Sequence, residues 1–209
     1  MAVNYIACPE CRGVLNQDDA SLECRACGQK YDSKWGFPLF SKNRDFYYCP
    51  TDKEFLTTTL DEYYPKIKAD PLEWERFLAK ILSNVPDNRN KNEWVENLVD
   101  ESRGSYKYLL SLKPGSHVLN YGCGWDNTTI SLARTASKVT AVDLTRQRVQ
   151  VLALKKLYYG LDNIDLICCG DRPYLPFADN TFDAVFVNGV LEWVASDWSW
   201  AEEKYRQIH

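Results

Sequence analysis

The sequence predicts an α/β fold with a Rossmann-like parallel sheet, preceded by a zinc-ribbon module and a helical region. Three observations predict this. Short apolar runs alternate with helical stretches after residue 113, which is typical of parallel strands joined by crossover helices. Two Cys-x-x-Cys pairs lie near the start of the chain, and three helix-start motifs come between them and the strands. We therefore divide the chain into a zinc-ribbon module (1–50), a helical lid or linker (51–113) and a cofactor-binding domain (114–209).

The cysteine pairs predict a tetrahedral zinc site. Twelve residues separate the pairs, and each pair projects two thiolates from one tight turn, with Gly13 and Gly28 just after them. A segment of about fifty residues with little core needs such a staple. Two disulfides or idle thiols are the alternative. Because all four positions are filled, the predicted zinc is structural. The predicted ligands are Cys8, Cys11, Cys24 and Cys27.

The residues after the cysteines extend this pattern. Tyr31 is followed by Gly36-Phe37-Pro38-Leu39. With the cysteine pairs, this tail resembles the zinc ribbon of the small activator subunits of tRNA methyltransferases. The resemblance implies a module that supports a neighbouring domain or contacts a partner protein, and it implies nothing about catalysis.

Helix signals dominate the second region. Capping arrangements at Thr51-x-x-Glu54, Asp70-Pro71 and Asn90-x-x-Glu93 predict three helices. Apolar residues recur at helical spacing after each start, and the third stripe continues from Trp94 through Ser102 to Leu110. We expect these stripes to be packing faces, and we expect the helices to lie over the mouth of a site in the third region.

The third region carries the candidate cofactor site. We predict strands near 117–121, 138–142, 164–169 and 182–187, with helices near 127–136, 145–159 and 198–207. The first strand runs into a Gly-x-Gly turn, whose glycines let the backbone approach a ligand in front of a helix terminus. A carboxylate ends the second strand about twenty residues later, where ribose hydroxyls of a nucleoside cofactor lie. Another carboxylate closes the third strand. These features are Gly122-Cys123-Gly124, Asp143 and Asp171.

This ordered set resembles class I S-adenosylmethionine-dependent methyltransferases, particularly the broad small-molecule (type 11-like) kind. The resemblance covers residues 115–195. It implies that Gly122, Cys123 and Gly124 wrap the amino-acid end of the cofactor. It also implies that Asp143 binds the ribose and that Leu144 packs on the base. Asp171 would take the adenine amino group with Arg172 alongside, and Asn188 would lie beside the reactive methyl.

Two positions depart from that family. The family usually has an acidic residue at Asn120 and a glycine at Asp126. The first change removes a charge that could organise the ammonium of the cofactor, and the second puts a carboxylate in the loop, where it could repel the carboxylate of the cofactor. The family sheet also adds three more strands, so we expect an incomplete domain. NAD is the alternative cofactor for this topology, but it expects a third glycine where Asn127 stands.

The distribution of charge along the sequence indicates what kind of molecule accepts the methyl group. The net charge of −4 is spread evenly, and no segment is a basic patch. We therefore predict methyl transfer to a small-molecule, glycan or natural-product acceptor. One alternative is ribosomal or transfer RNA, because the architecture resembles rRNA guanine methyltransferases that place a zinc-binding module first. Another is a non-catalytic cofactor-binding or scaffold protein, favoured by Asn120 and Asp126.

The catalytic residue is not predicted. The only histidines are His117 and His209, and His117 starts the first strand, so we expect no histidine base. Asn188 and Glu192 are the nearby polar side chains. No apolar stretch is long enough to span a bilayer and no secretory start is visible, so we expect a cytoplasmic protein with reduced thiols. A protein partner could bind through the zinc ribbon or an exposed sheet edge.

Overall fold

The protein is described by a computed structural model, which covers residues 5–18, 20–33, 35–42, 50–84, 89–190 and 206. Seven strands and five α-helices lie in these residues, together with one 3₁₀ helix. The strands are β1 (Leu15–Gln17), β2 (Ser21–Cys24), β3 (Lys30–Asp32), β4 (His117–Tyr121), β5 (Lys138–Asp143), β6 (Ile164–Cys168) and β7 (Ala184–Val187). The helices are α1 (Pro50–Ala69), α2 (Glu73–Asn84), α3 (Arg89–Leu98), the 3₁₀ helix (Ser102–Leu109), α4 (Thr128–Ala133) and α5 (Arg146–Tyr159).

The first sheet is antiparallel, with strand order β1-β2-β3. The turn between β1 and β2 is stabilised by Asp18, whose Oδ1 accepts the backbone N–H groups of Ala20 and Ser21 at 2.9 and 2.6 Å. Along β2, Leu22 is buried and Glu23 is exposed, which is the alternation expected of a sheet with one covered face. We call residues 5–42 the thiolate module below.

The helical region folds largely as the apolar stripes predict. In α1, Leu56, Leu60 and Ile67 are fully buried, and in α2 Trp74 and Phe77 are buried too. These side chains form one cluster with residues of α5. The helices therefore pack against the outer side of α5 through faces that the 3.6-residue period identified.

The third predicted helix was too long. It was predicted to continue through Ser102 to Leu110, but α3 ends at Leu98 and a 3₁₀ helix follows. Asp100 opens the new turn because its carboxylate accepts the N–H and the hydroxyl of Ser102 at 2.7 and 2.8 Å. The Asn127 side chain also donates to the carbonyls of Val99 and Asp100 at 3.2 Å each. These bonds compete with continuation of the helix.

The second sheet is parallel, with strand order β6-β5-β4-β7. The first three strands lie within about one residue of their predicted bounds, and β7 starts two residues later than predicted. Helices α4 and α5 form the crossovers that lead to β5 and β6, and β7 returns to the far side of β4. The order therefore reverses between β4 and β7, which makes the carboxyl ends of these strands a topological switch point. The helix predicted at 198–207 falls almost wholly outside the described residues.

The two faces of this sheet have different covers. On one face, Val118, Val139 and Ile164 pack with residues of α4 and α5. On the other, Leu119 and Val142 pack with side chains of the thiolate module. No helix occurs between β6 and β7, in residues 169–183, all of which the structure describes. The thiolate module therefore covers the face that crossover helices cover in a doubly wound sheet.

Backbone hydrogen bonds join the module to the connection that follows β6. The N–H of Ala7 donates to the carbonyl of Pro176 at 3.0 Å, and the N–H of Tyr174 donates to the carbonyl of Pro9 at 3.0 Å. Tyr5 lies over the sheet with its hydroxyl 2.8 Å from Thr140 Oγ1. Among the residues described, no helix combines the length and apolar character needed to cross a bilayer.

Candidate functional site

The Gly-x-Gly turn leaves β4 in a conformation that favours glycine. Gly122 and Gly124 have φ angles of +68° and +57°. A Cβ at Gly122 would collide with the side chain of Val190, whereas a Cβ at Gly124 would meet no atom within 4 Å among the described residues. The N–H of Cys123 donates to the carbonyl of Val142 at 2.9 Å, and burial raises the pKa of its thiol. The turn is therefore tied to β5, next to Asp143.

Asp143 joins the glycine turn to the start of α5. Its Oδ2 accepts the N–H of Gly124 at 2.9 Å, and its Oδ1 accepts the N–H of Thr145 at 2.8 Å. Arg148 Nη1 lies 3.9 Å from Oδ2, and the Asp143 side chain is 6% exposed. Each carboxylate oxygen has a second lone pair, so this buried group can still accept hydrogen bonds from ligand hydroxyls. The structure thus brings together Asp143 and the predicted glycine turn.

Leu144 and Asp171 lie at the ends of β5 and β6. A Cβ at Gly170 would press on Leu144 Cβ at 3.1 Å, so the glycine lets these two segments approach. The Asp171 carboxylate accepts the backbone N–H of Lys42 through both oxygens, at 3.1 and 2.9 Å. Lys42 belongs to the thiolate module, and nothing in the sequence pattern pointed to it.

Arg172 and Asn188 differ from the other predicted residues. The Arg172 guanidinium donates to Glu10 Oε1 at 2.5 Å and to the carbonyl of Phe40, and it lies 5.7 Å from the centre of the Tyr31 ring. These three contacts tie Arg172 to the thiolate module, and its predicted place beside the nucleoside stays a prediction. Asn188 follows β7 and is exposed. Glu192 lies outside the described residues.

The two departures from the family pattern have local partners. The buried Asn120 side chain donates from Nδ2 to Thr129 Oγ1 at 3.0 Å. Asp126 Oδ1 accepts the N–H of Thr128 at 2.8 Å, and Asp126 Oδ2 lies 3.7 Å from Arg103 Nη1. The carboxylate of Asp126 therefore faces the first turn of α4, where a free N–H group would otherwise be open to an anionic ligand.

Lys155 is a buried cationic side chain that the sequence analysis missed. Its Nζ donates to the carbonyl of Trp125 at 2.6 Å, to the carbonyl of Asn97 at 2.9 Å and to Asn127 Oδ1 at 3.0 Å. Burial lowers the pKa of Lys155 to about 7. The only sequence signal was its position four residues after Val151, which puts the two side chains on one face of α5. Lys155 holds the end of α3 against the loop that follows Gly124.

The four predicted zinc ligands converge. Their sulfur atoms all lie within 4.8 Å of one another. The Sγ atoms of Cys8 and Cys27 are 3.8 Å apart, and those of Cys11 and Cys24 are 3.6 Å apart. Sulfur atoms at the corners of a tetrahedron with Zn–S bonds of about 2.3 Å lie about 3.8 Å apart. The donor set and its spacing fit a zinc ion.

Backbone groups around these sulfurs support the same interpretation. A Cβ at Gly13 would lie 3.0 Å from Cys24 Sγ and 3.2 Å from Cys11 Sγ, so glycine is needed for this close approach. Burial raises the pKa of the Cys24 thiol, but backbone N–H groups of Cys27 and Ala26 offset this and bring it to about 7. N–H groups that face a sulfur atom favour its thiolate form, which is the form that binds metal.

The parallel sheet, its crossover helices and the glycine turn define an α/β protein of the Rossmann-like class. Comparison with known proteins narrows this class. A family model described as a methyltransferase domain matches residues 119–208. This part of the chain therefore resembles a methyltransferase domain.

Curated relatives are methyltransferases as well. The 24-methylenesterol C-methyltransferase 3 of Arabidopsis thaliana is 32% identical over 79% of this chain and 44% of its own length. The demethylmenaquinone methyltransferase of Symbiobacterium thermophilum is 26% identical over 66% of this chain and 57% of its own length. The chain thus spans about half the length of these relatives. A solved S-adenosylmethionine-dependent methyltransferase from Aquifex aeolicus has a TM-score of 0.45 and 20% identity, with 66% of each chain covered.

Proposed function

We propose that this chain binds S-adenosylmethionine at the carboxyl ends of β4, β5 and β6 and transfers its methyl group to a small apolar acceptor. The observation that carries the proposal is the Asp143 carboxylate, which joins the glycine turn to the start of α5. A buried carboxylate at the end of the second parallel strand, beside a glycine turn, suits the ribose of a nucleoside cofactor.

Each predicted residue has a role in this proposal. The turn Gly122-Cys123-Gly124 holds the amino-acid end of the cofactor, and Asp143 binds its ribose hydroxyls. Leu144 packs on the adenine base, and Asp171 accepts its amino group. Asn188 lies beside the methyl group. Arg172, the next residue after Asp171, ties the end of β6 to the thiolate module, because its guanidinium contacts Glu10 and Phe40.

The bound cofactor supplies an electrophilic methyl group on a sulfonium centre. The work of the protein is to place an acceptor in line with that methyl group and to keep water away, and such positioning can supply much of the rate. Asn188 is exposed at the switch point, where its side-chain amide can hydrogen-bond a polar group of the acceptor. We assign no general base.

Two observations support an apolar acceptor over RNA. The names of the relatives give a sterol and demethylmenaquinone as substrates, and both are apolar small molecules. The net charge of −4 and its even spread also disfavour a polyanion.

Calorimetric titration tests the cofactor proposal. We expect S-adenosylhomocysteine to bind the wild-type chain and NAD not to bind. Asp143→Ala should weaken binding at least tenfold, because it removes an acceptor for ribose and the partner of the Gly124 amide. Asp162→Ala, at an exposed carboxylate, is the matched control and should bind normally. Absence of binding by the wild-type chain would refute the proposal.

Label transfer identifies the acceptor class. With methyl-labelled cofactor and a cell extract, we expect label in the organic-soluble fraction. Label in ribosomal or transfer RNA would favour the RNA alternative instead. Tight cofactor binding without transfer to either fraction would favour the non-catalytic alternative.

We also propose that Cys8, Cys11, Cys24 and Cys27 hold one structural Zn²⁺, which suits a reducing compartment such as the cytoplasm. Elemental analysis should find about one zinc per chain. Cys24→Ser should lose it, and Cys169→Ala should retain it. An equal zinc content in both variants would contradict this assignment.

A further inference from the structure

The last residues of the thiolate module run along the edge of the parallel sheet at β6. The N–H groups of Phe40 and Ser41 donate to the carbonyl of Cys168 at 2.7 and 3.1 Å, and the N–H of Cys168 donates to the carbonyl of Pro38 at 2.9 Å. Leu39 forms a parallel bridge with Cys168. Residues 38–42 therefore add a short fifth strand segment to this sheet.

This segment ends on the carboxylate that we assign to adenine. The Lys42 N–H lies 2.9 and 3.1 Å from the two oxygens of Asp171. A hydrogen bond to a charged acceptor is stronger than one between neutral groups, so this N–H group restrains the Asp171 carboxylate. Asp171 follows β6, and its orientation thus depends on a residue more than a hundred positions away.

The same segment is anchored to the thiolate cluster. The hydroxyl of Tyr31 lies 3.2 Å from Cys8 Sγ, and the Tyr31 ring packs edge-on against Phe40 with the ring centres 4.7 Å apart. Arg172 joins the carbonyl of Phe40 to Glu10, which stands between the first two cysteines. A path through Tyr31 and Phe40 therefore links the sulfur atoms to the segment that carries the Lys42 amide.

We propose that the backbone amide of Lys42 is a positioning group for the nucleoside end of the cofactor, and that metal binding by the thiolate cluster controls cofactor affinity through it. This inference rests on the proposed cofactor site. The module thereby acts as an allosteric element, because a metal at one site stabilises the conformation that another site needs. Lys42 does not touch the reacting atoms, so its effect is on binding.

The chain offers a matched pair of variants. Lys42→Pro removes the N–H group, because proline has none, while Lys42→Ala removes only the side chain. In metal-loaded protein, we expect Lys42→Pro to weaken S-adenosylhomocysteine about tenfold and Lys42→Ala to leave affinity unchanged. Both variants should retain zinc and the circular-dichroism spectrum of the wild type.

Removing the metal with a chelator from the wild type and from both variants gives a double-perturbation cycle. Removing the metal should weaken cofactor binding in the wild type and in Lys42→Ala, and it should add little in Lys42→Pro, because the contact that transmits the effect is already gone. Equal losses on chelation in all three proteins would overturn the inference. Wild-type affinity in Lys42→Pro would overturn it too.

Hydrogen exchange tests the contact without any cofactor. The Lys42 amide should exchange more slowly in the wild type than in Asp171→Ala, and chelation should remove this difference. If the wild type binds no cofactor, the proposed function fails, whereas slow exchange of Lys42 would still establish that the module holds Asp171. Fast exchange of Lys42 in the metal-loaded wild type would overturn the inference by itself.

Discussion

Asp143 and Lys155 are buried charged side chains that hold the loop after β4, through Gly124 and Trp125 respectively. The glycine turn and Asp143 were assigned from sequence to one cofactor site, because the carboxyl ends of parallel strands meet at one sheet edge. The structure has Asp143 Oδ2 at 2.9 Å from the Gly124 amide. Lys155 was not predictable, because a lysine on a helix is usually solvated and its three acceptors come from distant segments.

Lys155→Met should destabilise the fold by about 3 kcal/mol, because it leaves three acceptors, two of them in buried hydrogen bonds, without their donor. Lys156→Met is the control. Among the described residues that side chain donates to the carbonyl of Ile164 at 2.7 Å, and loss of this bond should cost about 1 kcal/mol. Urea unfolding measures both, and equal losses would contradict the role given to Lys155.

The wild type and Lys155→Met should also differ in how their stability depends on pH. In the unfolded chain Lys155 stays protonated to about pH 10, whereas burial lowers its pKa to about 7 in the folded chain. Between these values the unfolded state binds more protons, so stability rises with pH. The stability of the wild type relative to Lys155→Met should therefore increase from pH 7 to pH 9. A difference that stays constant would show that Lys155 keeps its proton.

Asp126 sets a testable limit on cofactor affinity. Asp126→Gly frees the Thr128 N–H for an anionic ligand, and we expect it to raise affinity for S-adenosylmethionine several-fold and to cost about 1 kcal/mol of stability. Combining it with Asn120→Asp restores the family pattern and should raise affinity further. Calorimetry measures these affinities. No gain in either variant would favour the non-catalytic alternative.

At the scale of elements, hydrophobic periodicity predicted which helix faces are buried better than it predicted where the helices end. The stripes of α1 and α2 are buried as predicted, because an apolar face must find a neighbour whatever its sequence distance. The predicted third helix does not continue past Asp100, because hydrogen bonds of the Asp100 and Asn127 side chains replace those of a continuing helix. Tyr106, which lies on the predicted stripe between Ser102 and Leu110, is consequently 41% exposed.

The 3₁₀ helix is held to α4 through Gly104. A Cβ there would lie 2.7 Å from Ser131 Cβ, and Ser131 Oγ donates to the carbonyl of Gly104 at 2.9 Å. Gly104→Val should separate the two helices and cost about 2 kcal/mol. Ser105→Val, at the exposed neighbouring position, should cost much less. Hydrogen exchange of residues 102–109 should accelerate in Gly104→Val alone, and unchanged exchange would contradict this contact.

At the scale of the molecule, the helices, the parallel sheet and the thiolate module form successive layers. The sequence predicted each part separately. The sequence could not predict that the module would take the place of a helical layer. Residues 169–183, which join β6 to β7, contain no helix, and this absence does not indicate what covers the sheet instead. Leu119 and Val142 share a cluster with Phe40 only because distant segments meet there.

Metal removal should therefore affect the whole molecule. Without the metal, the module loses its staple and uncovers the sheet face of Leu119 and Val142, so we expect the melting temperature to fall by about 10 °C in one cooperative transition. Calorimetry with and without chelator measures this, and Cys24→Ser should match the chelated wild type. A separate low-temperature transition of the module, with the main one unchanged, would contradict this dependence.

The position of the module also bears on how the chain is made. Tyr5 and Ala7 leave the ribosome long before Pro176 and Ala178, the residues to which their backbones bond. At about 5–20 residues per second, this interval lasts on the order of ten to thirty seconds. During that time the apolar side of the module has no sheet to cover. A metal captured by the nascent cysteines would keep this segment folded until its partner strands emerge, so the supply of metal during translation would set the yield of folded protein.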